Sequence, residues 1–114
     1  MAETLDLYAA YLAERGGAEL VADPEGRGFA TFAPTSEGMR VVDIFVRPEH
    51  RKSGVAAALA DRIATIAKER AFTALIGTVD PRTNGATTSL RAQLAYGFEV
   101  VEVRGPLIVL KKEI

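Results

Sequence analysis

Apolar positions along this chain recur with two periods, and the switches between them divide it into elements. Leu5, Tyr8 and Leu12 fall at i, i+3 and i+7. That spacing predicts a helix with one apolar face, which Thr4 can cap and Gly16-Gly17 ends near Arg15. Ala18 to Ala22 and Gly28 to Ala33 read as short strands joined by the turn Asp23-Pro24-Glu25-Gly26, a hairpin. Pro34 to Gly38 is a second turn. Met39 to Val46 is the strongest strand. Strict alternation assigns Val42, Ile44 and Val46 to one face and Val41, Asp43 and Phe45 to the other. A strand apolar on both faces is normally central in its sheet.

Pro48 stops that strand, and a helix is predicted from about Ser53 to Arg70. Val55, Leu59, Ile63 and Ile66 line one stripe of it, with Asp61, Arg62, Lys68 and Glu69 off the stripe. Phe72 to Val79 reads as a strand and 80–85 as a loop. A short helix covers roughly Thr87 to Ala95, with Gly97 as its left-handed stop. Closing strands at Phe98 to Val103 and Leu107 to Lys111 flank the turn Arg104-Gly105-Pro106. The order is α-β-β-β-α-β-α-β-β. If the strands at 39–46 and 72–79 are neighbours they are parallel, with a right-handed crossover. The fold class is α/β (α+β), a mixed sheet with helices on its faces. No repeat or linker interrupts the 114 residues, so 1–114 reads as one domain.

Composition narrows the chemistry. Cysteine is absent, which excludes disulfides, thiol nucleophiles and thiolate metal sites. The one histidine, His50, leaves no Ser-His-Asp triad elsewhere in the chain and no His-based metal site. There is no charged-then-apolar leader and no apolar run near the ~18 residues that span a bilayer, so the chain reads as soluble and cytoplasmic. A net charge of −1 and a pI of 5.8 argue against nucleic acid as a partner. The charge is uneven. Residues 1–38 sum to −5 and the remainder to +4, with Arg47, Arg51 and Lys52 clustered beside one turn.

That turn carries the clearest chemical signal. Arg51-Lys52-Ser53-Gly54-Val55-Ala56 lies between the strongest strand and an amphipathic helix. Free amides at a helix N-terminus, with its partial positive charge, converge on an anion, and glycine admits a phosphate close to the backbone. It is neither Gly-x-x-x-x-Gly-Lys-Ser/Thr nor Gly-x-Gly-x-x-Gly. Alone, Arg-x-x-Gly-x-Ala matches many helix starts. In context, the run Val42-Asp43-Ile44-Phe45-Val46-Arg47-Pro48-Glu49-His50-Arg51-Lys52-Ser53-Gly54-Val55-Ala56, followed by Leu59, resembles the central motif of the GNAT superfamily of acyl-CoA-dependent N-acyltransferases. Tyr96-Gly97-Phe98 resembles the Gly-Phe that ends the last helix of that family.

The resemblance implies a GNAT-like, mostly antiparallel central sheet with helices on both faces and a β-α-β crossover, truncated at the N-terminus. One helix precedes the hairpin where the family has a strand and two helices, so a partner subunit, as in a homodimer, would complete the acceptor-side wall. It implies acetyl-CoA as the cofactor, bound where the strands at 39–46 and 72–79 splay apart. Backbone groups of Ile44, Phe45 and Val46 would hold the pantetheine, and Arg51, Lys52, Ser53, Gly54, Val55 and Ala56 the pyrophosphate. Asn84 stands near the family's Asn before the last helix, although counting back from Gly97 gives Ala86. An amine would attack the thioester directly, giving an oxyanion that backbone N–H groups stabilise. Where the family often has Tyr as the acid for the departing thiolate, this chain has Gln93, which can only hydrogen-bond the sulfur. Tyr96 falls on another side of that helix. Asp43, a carboxylate in an apolar strand, is the candidate base or amine-binding group, since burial there would raise its pKa; the plainer alternative pairs it with Arg40 or another basic group. The competing function is a weak or inactive module of this fold that binds CoA or serves in sensing or assembly.

Overall fold

The computed structural model describes residues 2–114. The strand read most firmly from the sequence, β3 (Met39–Val46), stands third in a six-stranded open sheet. Before it come α1 (Ala2–Gly16), β1 (Glu19–Ala22) and β2 (Gly28–Pro34). After it, a single helical turn (Pro48–His50) leads to α2 (Val55–Glu69), β4 (Ala74–Val79), α3 (Ala86–Tyr96), β5 (Glu99–Arg104) and β6 (Leu107–Glu113). The sheet order is β1-β2-β3-β4-β6-β5. Only β3 and β4 run parallel; every other neighbouring pair is antiparallel.

Strict alternation does not hold along β3. Phe32 lies opposite Val41 and Thr31 opposite Asp43, so Val42 is an extra residue, a β-bulge. The bulge reverses the parity of the strand. Met39 and Val41 face the core, and beyond the bulge Val46 does so too. The predicted grouping of Val41 with Asp43 and Phe45 is therefore corrected. Asp43 and Phe45 share the opposite face with Thr31 and Phe29, their partners on β2.

The core lies on the face covered by α2. Val55, Leu59, Ile63 and Ala67 form the buried stripe of that helix and meet Phe32, Met39, Leu75 and Leu110 of the sheet. Ile66 is only partly buried. α3 packs on the same face through Leu90 and Tyr96. α1 lies on the other face, where Tyr8 meets Phe29 edge-on at 5.9 Å. The helices thus cover both faces, as the resemblance implied. Arg70, just past the end of α2, pairs with Glu19 of β1 and ties the helix to the edge of the sheet. No helix among the described residues is long and apolar enough to cross a membrane.

Two outcomes follow from this packing. Ile63 is fully buried, so Ile63→Ala should cost about 2–5 kcal/mol through lost burial and an unfilled cavity. Urea unfolding should show a lower midpoint at unchanged slope. The Arg70 hydrogen bond holds the Glu19 carboxyl below its ordinary range. Its small contribution is complete above that range and fades as acid protonates Glu19. Arg70→Ala should therefore lower the urea midpoint slightly at neutral pH and not at about pH 2.

Candidate functional site

The sheet opens at one place. The β3–β4 ladder pairs Met39 with Leu75 and Arg40 with Ile76, then stops. β3 continues along β2 to Val46, while β4 continues along β6 to Val79. The two central strands therefore part beyond Arg40, leaving a wedge in the middle of the sheet. Backbone groups of β3 on that side have no ladder partner. Val42, Ile44 and Phe45 are 38%, 37% and 44% exposed, unusual for apolar residues of a central strand.

The mouth of the wedge is the turn after β3. Lys52 (φ 60°) and Gly54 (φ 89°) are both left-handed, which swings the chain abruptly into α2. Gly54 is the residue before the first turn of α2, and no side chain caps the helix. A Cβ at Gly54 would meet nothing within 4 Å, so the space over the helix start is open. Lys52, Ser53, Gly54 and Ala56 are exposed, while Val55 is buried and anchors the helix. The Ser53 hydroxyl donates to the His50 carbonyl. Arg51 does not stand free at the rim. Its Nε donates to the Val46 carbonyl at 2.9 Å, and its guanidinium lies 5.8 Å from the centre of the Phe45 ring. Arg51 and Lys52 are both exposed, and only Lys52 is without these contacts to β3. The Val46 side chain is buried, and its carbonyl is occupied by Arg51.

The other candidates fall in different places. Gln93 projects from α3 onto β4. Its Nε2 lies 3.4 Å from the Thr78 carbonyl and 3.2 Å from Ser89 Oγ, while Oε1 is buried without a partner. A Cβ at Gly77 would overlap that oxygen, so glycine is what gives Gln93 its room. Asp43 is exposed and forms no ion pair among the described residues. The expected burial does not occur, because its face of β3 beyond the bulge is open; nor does it pair with Arg40. Asn84 is exposed in the loop between β4 and α3, a loop tied by Asp80, which accepts from Arg82 at 2.8 and 3.0 Å. That guanidinium pulls the Asp80 carboxyl down to about 2. Tyr96 points away from the wedge. Burial, together with its 2.6 Å hydrogen bond to Asp61 of α2, raises its phenol well above the usual range. A concavity of about 400 Å³ beside that pair, lined by Asp61, Lys68, Tyr96 and Lys112, is remote from the turn.

Sequence reasoning treated Arg40 only as a possible partner for Asp43 and did not single out Gly77 or Thr78. A lone arginine within an apolar strand was the available signal for Arg40. Nothing local distinguishes Gly77 from any strand glycine.

The model of the acetyltransferase (GNAT) family matches residues 3–93, well over half of the chain. No curated protein matches it. Among solved structures, the chain is similar to a GNAT-family protein from Desulfovibrio desulfuricans, with 21% identity, TM-score 0.74, and coverage of 97% of this chain and 77% of that one. It is also similar to the PaiA N-acetyltransferase of Thermoplasma acidophilum, solved in complex with coenzyme A (16% identity, TM-score 0.75, 98% and 70% covered). A third is a GNAT family acetyltransferase from Elizabethkingia anophelis with acetyl-CoA bound (19% identity, TM-score 0.70, 100% and 84% covered). At these identities the likeness is one of fold, which is the mixed, six-stranded GNAT-like sheet. The family match over residues 3–93 goes further: this chain belongs to the acetyltransferase (GNAT) family.

Proposed function

We propose that the chain is an acetyl-CoA-dependent N-acetyltransferase, one acyl-CoA-binding domain that passes an acetyl group directly to an amine of a small molecule or protein. The observation that carries this reading is the wedge between β3 and β4 with an uncapped helix start at its mouth. Similar structures solved with coenzyme A or acetyl-CoA support it. In this reading the amides of residues 51–56 and Lys52 hold the pyrophosphate, and the pantetheine lies along the wedge-facing edge of Ile44 to Val46. Asn84 stands at the far wall.

Acetyl-CoA supplies a thioester whose carbonyl carbon the amine attacks; the C–N bond forms, the C–S bond breaks, and the thiolate leaves. The backbone N–H groups that β3 frees on entering the wedge are fixed donors for the developing oxyanion. Asp43, open to solvent on β3, attracts and orients the incoming ammonium, whose proton passes to solvent. Gln93 has a side-chain amide at the β4 wall and is suited to hydrogen-bond the sulfur. Its inability to protonate the thiolate favours the second reading, a weak or inactive CoA-binding module used in sensing or assembly. A homodimer accords with β5, an edge strand exposed along its whole length with Val100, Val101 and Val103 in solvent.

Calorimetric titration with acetyl-CoA, followed by thiol release with a panel of amines, separates the two readings. Tight binding without turnover selects the module; no binding refutes both. Gly54→Asp should abolish binding, because it sets a carboxylate where phosphate would lie. Gly54→Asn, which also tolerates the left-handed backbone, should lose far less. Equal affinity for wild type and Gly54→Asp would show that the turn is not the phosphate site. Asp43→Asn should lower kcat/KM for the amine about 10-fold, the usual worth of a lost charge-assisted contact, at unchanged acetyl-CoA affinity. An unchanged kcat/KM would make Asp43 a bystander.

A further inference from the structure

We infer that the acceptor is an amine that also bears a carboxylate, and that Arg40 receives that carboxylate; this rests on the acetyltransferase reading above. Arg40 is the last β3 residue paired with β4, so it sits at the apex of the wedge. It lies opposite Ala33, on the sheet face away from α2, because its neighbours Met39 and Val41 face the core. α1 covers this face at Phe29 of β2 and packs mainly on β1.

Arg40 is half-buried, and its Nε is buried with no partner. Its Nη2 reaches only Thr78 Oγ1, at 3.5 Å, the outer limit of a hydrogen bond. No carboxylate among the described residues pairs with it. Other arginines of the chain are provided for: Arg27, Arg70, Arg82 and Arg104 each pair with a carboxylate. Glu37, on the loop leading into β3, is held by Arg104. A partly buried guanidinium with an unsatisfied donor is costly unless an anion completes it. Its planar fork suits a carboxylate better than a single-point acceptor.

Asp43 completes the pattern. It stands on the same face beyond the bulge, open to solvent. Across the bulge, roughly two strand steps or about 7 Å of backbone separate it from Arg40. A cation at the apex and an anion nearer the mouth match a molecule with an ammonium and a carboxylate a few bonds apart. The amine is then held toward the wedge while the carboxylate anchors below it. This is the pattern of a free amino acid, and a polyamine or a lysine within a protein would leave Arg40 uncompensated.

The test compares matched acceptors with and without the carboxylate, glycine with glycinamide, β-alanine with its amide and L-leucine with L-leucinamide, with each rate expressed per unprotonated amine because amidation lowers the basicity of the amine. For the preferred pair, kcat/KM should favour the acid by about 10- to 100-fold, the usual worth of a charge-assisted pair. Arg40→Gln should erase that preference mainly through KM, and Arg40→Lys should restore part of it. Acetyl-CoA affinity should be unchanged in both variants, which also shows that they are folded. Equal use of acids and amides by the wild type, or equal losses for both in Arg40→Gln, would overturn the inference and leave the acetyltransferase reading intact. If acetyl-CoA binds without turnover, the same acceptors are titrated onto that complex. Carboxylate-dependent binding that Arg40→Gln removes supports the role of Arg40, and its absence overturns it. Failure to bind acetyl-CoA removes both readings together.

Discussion

The interruption of one hydrogen-bond ladder shapes this molecule. Two parallel strands in the middle of a sheet would ordinarily satisfy each other along their whole length, since buried backbone groups are expensive to leave unpaired. Here β3 and β4 share only the pairs at Met39 and Arg40. Each strand then stays with its other neighbour, β3 with β2 and β4 with β6. The sheet remains one body through those two pairs and the core of α2 packed across the parting, yet its centre is left with backbone groups free for a ligand. The bulge at Val42 belongs to the same arrangement. It changes the facing of β3 just past the point of departure, so Val46 can return to the core while Asp43 and Phe45 face outward.

The helix that follows depends on this geometry. Val55, Leu59, Ile63 and Ala67 fasten α2 to Phe32, Met39 and Leu75, which are on both sides of the parting. That clamp holds the two halves of the sheet at a fixed separation and aims the helix start at the wedge. A cost falls on the turn, where Lys52 adopts a left-handed conformation that a side chain adopts only at some expense. The core therefore supports the site twice, once through the spacing of the strands and once through the direction of the helix.

Most of this architecture was legible in the sequence because it rests on local periodicity. The boundaries of β3 and the order of all elements follow from alternation, from the 3.6-residue stripe of α2 and from glycines at 54 and 97 that adopt left-handed backbone. The turn was readable for the same reason: its function is carried by backbone, and backbone conformation is signalled by residue type nearby. What escaped was non-local. The bulge at Val42 exists only in relation to β2, and without it the facing of Asp43 is misjudged. The setting of Arg40 depends on where a ladder between strands distant in sequence stops. The inward turn of Arg51 onto Val46 and Phe45 is a choice among rotamers that no spacing rule makes.

The contact between Gln93 and Gly77 bears on how such a site changes over time. The glutamine occupies a slot one methyl group deep, and the slot exists because position 77 has no side chain. The two positions are therefore bound to each other. A bulkier group at 77 would expel whatever stands at 93, and a longer or ring-bearing residue at 93 would have to find its room elsewhere on β4. Substitutions there cannot be additive, because each alters the space in which the other is tested. A lineage that exchanged a proton-donating side chain for this amide, or the reverse, would have to move through both positions in concert, with the order of the two steps deciding which intermediates survive.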